Sequence, residues 1–147
     1  MLPLSLQTAP ALDGPGAEFA FLLARVLFGG VLAFMGLNHL TGTGEMSGYA
    51  GAKGVPAPSL LVPFTGGMLL VGGLSIALGA YPLVGAGALA VFLLVTTPVM
   101  HDFWTAPEDQ RQTETIQFLK NVGLLGGALV FLAFAGTAWP LSLGLAL

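Results

Sequence analysis

Long apolar stretches separated by polar loops dominate this sequence. Four of them carry few or no charged residues and cover residues 18–40, 59–80, 82–103 and 115–138. Each is long enough to cross a hydrocarbon core of about 30 Å, which needs roughly 20 helical residues. The stretches lack the alternation of membrane β-strands, and backbone groups must be paired inside lipid. The pattern therefore predicts an all-α membrane protein built as a bundle of four transmembrane helices.

The connections between these stretches predict the topology. Four spans place both termini on one side of the membrane and the two longer loops on the other. Residues 1–17 hold three prolines and predict an irregular tail, followed by one transmembrane domain over residues 18–147. The segment 41–58 is rich in glycine and proline, so we expect no regular element there. The connection at residues 79–82 is so short that the second and third helices must be antiparallel neighbours, and the polar stretch 104–114 is expected to be a loop.

Composition supports a membrane location and excludes several kinds of chemistry. The chain is 55% hydrophobic and only 7% charged, whereas soluble domains have about 25% charged residues. The spans leave no room for a separate soluble domain. The chain has no cysteine, which excludes disulfides, thiolate metal ligands and dithiol exchange within it. Its net charge of -3 disfavours nucleic acid, or a strongly anionic lipid surface, as the partner.

Glycines recur at helical spacing inside the predicted spans. Small residues in register allow close approach of helix backbones in lipid. The stripes therefore predict either packing within the bundle or contact with another subunit. The pairs are Gly29 and Gly36, Gly66 and Gly73, Gly72 and Gly79, and Gly123 and Gly127.

Polar and ionisable side chains recur at the loop-side ends of the predicted helices. His39 and His101 come near the ends of the first and third helices, and Lys120 lies near the start of the fourth. Because these helix ends share one membrane face, we expect a polar cluster there, with Asp102 as the ion-pair partner of Lys120. The predicted cluster comprises Asn38, His39, His101, Asp102, Gln117, Lys120 and Asn121.

Two interpretations of this cluster remain open. It is either a structural plug that ties helix ends together or a small-molecule pocket in which the histidines carry protons or donate hydrogen bonds. The residue spacing fits no metal-ligand motif and no catalytic motif, so we predict neither a metal site nor an enzyme acting alone. Four further residues are predicted to anchor the protein at the membrane interfaces, with the first leaning toward Glu18 and water: Arg25, Tyr81, Trp104 and Trp139.

Several segments resemble the DoxX family of small membrane proteins. They are RVLFGGVLAFMGLNH at 25–39, GYAGAKGVPAP at 48–58, GGLSIALGAYP at 72–82, MHDFW at 100–104 and QFLKNVGLLGG at 117–127. The resemblance implies a four-helix, multi-pass protein of a prokaryotic plasma membrane. It also implies that the recurring polar positions matter, and here these include Phe103 beside the cluster.

The resemblance favours one function and leaves another open. Some bacterial members are described as membrane parts of oxidoreductase assemblies, although most members have no established activity. The resemblance therefore implies a non-catalytic membrane subunit of a redox assembly, with quinone as a cofactor and an oxidoreductase subunit as a partner. The alternative is a small carrier, or a protein that binds a lipid or another small molecule, acting in the bilayer as a homo-oligomer.

Overall fold

The computed structural model describes residues 12–145, which contain helices and no named strand. The five helices are α1 (Ala17–Thr41), α2 (Thr43–Ala52), α3 (Pro58–Leu78), α4 (Pro82–Met100) and α5 (Glu108–Phe134). All except α2 are long and apolar enough to cross a membrane. Helix α3 packs against α1 and α4, and α4 packs against α5. The all-α membrane bundle predicted from the sequence is confirmed.

The short helix α2 corrects the expectation that residues 41–58 contain no regular element. Its glycines disfavour a helix by roughly 1 kcal/mol each relative to alanine. Tertiary contacts offset that cost, because Ala50 is buried and α2 lies against α3. The hydroxyl of Thr43 also donates to the backbone oxygen of His39 at 2.8 Å. Local propensity alone was therefore a poor guide to this segment.

The polar connection between α4 and α5 is shorter than predicted. Helix α4 ends at Met100, and α5 begins at Glu108 rather than at residue 115. Glu108 and Asp109 lie in the first turn of α5, where negative charge interacts favourably with the helix dipole. The polar residues at 108–114 thus extend α5 beyond its apolar part. His101 and Asp102 follow the end of α4.

Four glycines allow α1 and α3 to approach at backbone distance. A Cβ atom on Gly29 would lie 2.7 Å from the amide nitrogen of Ala77, and one on Gly36 would lie 2.6 Å from the oxygen of Gly66. Gly73 fills the corresponding position opposite Gly29. These stripes pack within the bundle. On α5, in contrast, a Cβ at Gly123 would meet nothing within 4 Å.

The segment after α5 folds back across the end of the bundle opposite the two longer loops, which is called the terminus-side end below. The amide of Leu143 donates to the oxygen of Leu78 at 2.9 Å, and the amide of Tyr81 donates to the oxygen of Leu145 at 2.7 Å. Trp139 lies inside and packs edge-on against Phe21, with ring centroids 5.2 Å apart. The segment therefore covers the turn between α3 and α4 instead of trailing away.

Candidate functional site

The loop-side face carries an ion pair between α2 and the end of α4. Nζ of Lys53 lies 2.5 Å from Oδ1 of Asp102, and the hydroxyl of Thr105 donates to Oδ2 at 2.5 Å. The predicted pair between Asp102 and Lys120 is therefore wrong. Because residues 43–52 form a helix, its C-cap residue Lys53 lies close enough to Asp102 to form the ion pair in place of Lys120.

These contacts perturb the titration of the residues that make them. The hydrogen bonds from Lys53 and Thr105 lower the pKa of Asp102 from 3.8 to about 2. The same bond raises the pKa of Lys53 above its ordinary value. Burial, followed by the nearby charge of Glu114, raises the pKa of Tyr49. The pair is thus ionised and the phenol is neutral near pH 7.

A histidine and a carboxylate form the second half of this network. Nδ1 of His101 lies 2.9 Å from Oε2 of Glu114, and the hydroxyl of Tyr49 lies 3.3 Å from Oε1 of the same carboxylate. An ionised carboxylate only accepts hydrogen bonds, so a neutral His101 ring paired with such a carboxylate carries its proton on Nδ1 and keeps a lone pair on Nε2. The two pairs together, with Tyr49, are called the loop-side network below.

Sequence reasoning missed three members of this network. Glu114 was assigned to a loop, whereas the longer α5 places it opposite the end of α4. Tyr49 and Lys53 were assigned to an irregular segment and not considered as site residues. The acidic residues after Pro107 are a helix-start signal that could have revealed the position of Glu114.

An aromatic cluster adjoins the loop-side network. The ring of Phe103 lies 5.2 Å from that of Trp104 and 5.3 Å from that of Phe118, both edge-on. The side chain of Trp104 is 55% exposed. Phe103 and Trp104 follow directly after His101 and Asp102 in the chain, so an apolar aromatic cluster borders the polar groups.

His39 lies apart from His101. Its Nδ1 lies 2.9 Å from the backbone oxygen of Met35, and its ring packs edge-on against Phe92 at 6.2 Å. Phe92 precedes His101 by nine residues, about 13 Å along α4 at 1.5 Å per residue. The two histidines therefore do not converge at one depth, contrary to the prediction.

The remaining members of the predicted cluster stay outside the network. Asn38, Gln117 and Lys120 are exposed, and Asn121 is half-buried. Within residues 12–145 none of these four side chains makes a hydrogen bond or ion pair. In the same part of the chain, no three His, Asp or Glu side chains lie close enough to hold a metal ion.

Arg25 occupies the opposite end of the bundle and differs from the predicted anchor. Its side chain is 1% exposed, and its guanidinium donates to the oxygens of Pro140 at 2.7 Å and Leu141 at 2.9 Å. It also lies 5.6 Å from the ring of Trp139. The returning C-terminal segment supplies these partners, so Arg25 does not lean toward Glu18 and water.

The other predicted anchors divide into two groups. Tyr81 is 44% exposed and Trp104 is 55% exposed, so both can reach a membrane interface, and their anchoring role stays a prediction. Trp139 is only 8% exposed. Its ring packs inside the bundle, where its Nε1 donates to the oxygen of Phe134 at 2.9 Å.

Comparison with known proteins gives one match. A family model described as DoxX matches residues 20–102, more than half of the chain. The matched region includes α1 to α4 with His101 and Asp102, and it stops before Glu114 and Lys120. No curated protein and no solved structure matches the chain.

Proposed function

This chain belongs to the DoxX family, and from that premise we propose that it is a non-catalytic integral membrane subunit of a quinone-linked redox assembly. The observation that carries the proposal is the pair of His101 and Glu114. Within the described residues, Nε2 of His101 makes no hydrogen bond and is free to exchange protons near the exposed ring of Trp104. Histidine is the side chain best suited to proton exchange near neutral pH.

The residues around His101 fit the chemistry of a quinone. A bound quinone would supply two-electron redox chemistry coupled to proton transfer at its two oxygens. Phe103 and Trp104 would hold the planar ring, and His101 would donate to or accept from one of its oxygens. The fit rests on the free nitrogen and on the exposure of Trp104.

The rest of the loop-side network positions His101. Glu114 fixes the ring through Nδ1 and thereby directs Nε2 away from the carboxylate. The hydroxyl of Tyr49 lies near the second oxygen of Glu114, and the Nζ of Lys53 lies 5.8 Å from the ring of Tyr49. Helix α2 thus braces the pair from the loop side. We expect a substitution in α2, for example at Tyr49, to alter proton exchange at His101 although residues of α2 make no direct contact with its ring nitrogens.

Native mass spectrometry after extraction from its own membrane in mild detergent tests this proposal. We expect a soluble oxidoreductase subunit or a bound quinone to co-purify with the wild-type protein. His101→Gln should lose the quinone, while the matched control His39→Gln should keep it, because His39 lies outside the network. A protein that is always free of partner and quinone, with unchanged quinone-linked respiration in its deletion strain, would rule the proposal out.

A carrier or small-molecule-binding oligomer is the second candidate. The observation that favours it is the open surface of α5, where Cβ atoms on Gly123 and Gly126 would meet nothing within 4 Å. Exposed small residues in a span suit contact between helices of different subunits. A four-span chain needs such an oligomer to enclose a transport path. A strictly monomeric particle in native mass spectrometry would count against this candidate.

A further inference from the structure

Helices α1 and α5 face each other along two matching rows of side chains. On α1 the row includes Phe21, Phe28, Met35 and His39; on α5 it includes Gln117, Lys120, Leu124, Gly127 and Phe131. Spacings of three, four and seven place each row on one helix face. The two faces are therefore candidates for contact along their whole length.

Only the terminus-side half of these rows is in contact. The ring of Phe28 lies 5.1 Å from that of Phe131, and a Cβ on Gly127 would lie 2.8 Å from Phe28. In the loop-side half, Gln117 and Lys120 remain exposed although they continue the same row. The loop-side part of the two rows is therefore open at Gln117 and Lys120, and the strip along Met35, Leu124 and Lys120 is called the crevice below.

The position of Lys120 on α5 sets its depth in this crevice. Lys120 lies six residues below Glu114, about 9 Å along α5 at 1.5 Å per residue. Side chains on α5 tilt toward its N-terminus, which is the loop side. The ammonium therefore reaches upward to just below the loop-side network, the level of lipid headgroups.

The charge of Lys120 is not matched within the described residues. The two ion pairs at this end of the bundle join Glu114 to His101 and Asp102 to Lys53, and neither includes Lys120. An ammonium at headgroup depth attracts an anionic lipid by about 1 kcal/mol. The wall of the crevice below it is apolar, with Met35 and Leu124 half-buried. A lipid with an anionic headgroup and apolar acyl chains complements both the Lys120 ammonium and the apolar wall below it.

We propose that the crevice between α1 and α5 binds one anionic phospholipid, with Lys120 and Gln117 donating hydrogen bonds to its phosphate and the acyl chains lying along Met35 and Leu124. The acidic loops disfavour a general attraction to anionic lipid, so selectivity comes from this one cation. The proposal is independent of any redox role.

Native mass spectrometry with a defined lipid mixture tests the site. The purified protein is mixed with equal amounts of phosphatidylglycerol and phosphatidylcholine in mild detergent. We expect the wild-type protein to retain phosphatidylglycerol preferentially. Lys120→Gln should lower that adduct about fivefold, the factor that corresponds to roughly 1 kcal/mol per lysine at a membrane surface. Lys120→Arg should keep the adduct.

Arg111→Gln is the matched control, because Arg111 is an exposed cation on the same helix outside the crevice. It should leave the adduct unchanged. Equal losses in Arg111→Gln and Lys120→Gln would show general charge attraction and overturn the proposal. An unchanged adduct in Lys120→Gln would overturn it too, as would a bound molecule without phosphate or a lipid-free dimer that depends on Lys120. Thermal unfolding should be similar for all variants, because each changed side chain is exposed.

Discussion

Adding one methyl group at Gly73 should push α1 and α3 apart. A Cβ atom there would overlap the oxygen of Gly29 and lie 2.5 Å from the amide nitrogen of Ala33. Both are backbone atoms, so no change of side-chain rotamer relieves the overlap. Overpacking of this kind costs about 1–3 kcal/mol. Replacing a helical glycine by alanine returns about 1 kcal/mol, so Gly73→Ala should lose up to about 2 kcal/mol.

Gly67→Ala is the matched control on the same helix. A Cβ at Gly67 meets nothing within 4 Å, so this variant should gain up to about 1 kcal/mol from helix propensity. The propensity gain is common to both variants, so they should differ by the overpacking cost of about 1–3 kcal/mol. At about 2–4 °C per kcal/mol for a chain of this size, their melting temperatures should differ by roughly 2–12 °C.

Circular dichroism at 222 nm during heating in mild detergent measures this difference, with the wild-type protein expected between the two variants. A melting temperature of Gly73→Ala equal to or above that of Gly67→Ala would refute the reasoning. In that case the close approach of α1 and α3 would not be a source of the bundle's stability.

Three further predictions concern polar groups. Arg25→Met removes the donor to two backbone oxygens and should cost about 2–4 kcal/mol, so limited proteolysis should cleave the C-terminal segment faster than in wild type. The pKa of Asp102 is lowered in the folded protein, so its pair with Lys53 stabilises the fold above the unfolded-state pKa and loses that contribution as pH falls from about 4 toward 2. The melting temperature of the wild-type protein should therefore drop between pH 4 and pH 2, and that of Asp102→Asn should change less over the same range. Glu114→Gln replaces a carboxylate that only accepts hydrogen bonds by an amide that can also donate to Nδ1 of His101, so ¹⁵N NMR of the ring should show mixed tautomers where wild type favours protonated Nδ1.

The membrane bundle could be predicted because lipid imposes a strong condition on the sequence. Every span must be long, apolar and helical, and the four apolar runs satisfy that condition without reference to any other part of the chain. The short helix α2 could not be found in this way. Its glycines argue against a helix, and the contacts that stabilise it, such as burial of Ala50, are formed with distant residues.

The candidate site was predicted less well for a related reason. The sequence indicates which membrane face carries the polar residues, but ion pairing depends on helix ends that differ from the prediction by several residues. Moving the start of α5 to Glu108 brings Glu114 to His101, and forming α2 brings Lys53 to Asp102. Lys120 then has no partner there. Arg25 was misplaced because its acceptors are 115 and 116 residues away.

That long separation has a consequence for the order of events during synthesis. Arg25 enters the membrane with α1, but Pro140 and Leu141, whose oxygens receive its hydrogen bonds, are made 115 and 116 residues later. At about 5–20 residues per second, this interval lasts roughly 10 s. During it the guanidinium must stay hydrated at the membrane surface or find another acceptor. The last span and the segment after it therefore complete the burial of the Arg25 guanidinium, which enters the membrane with the first span.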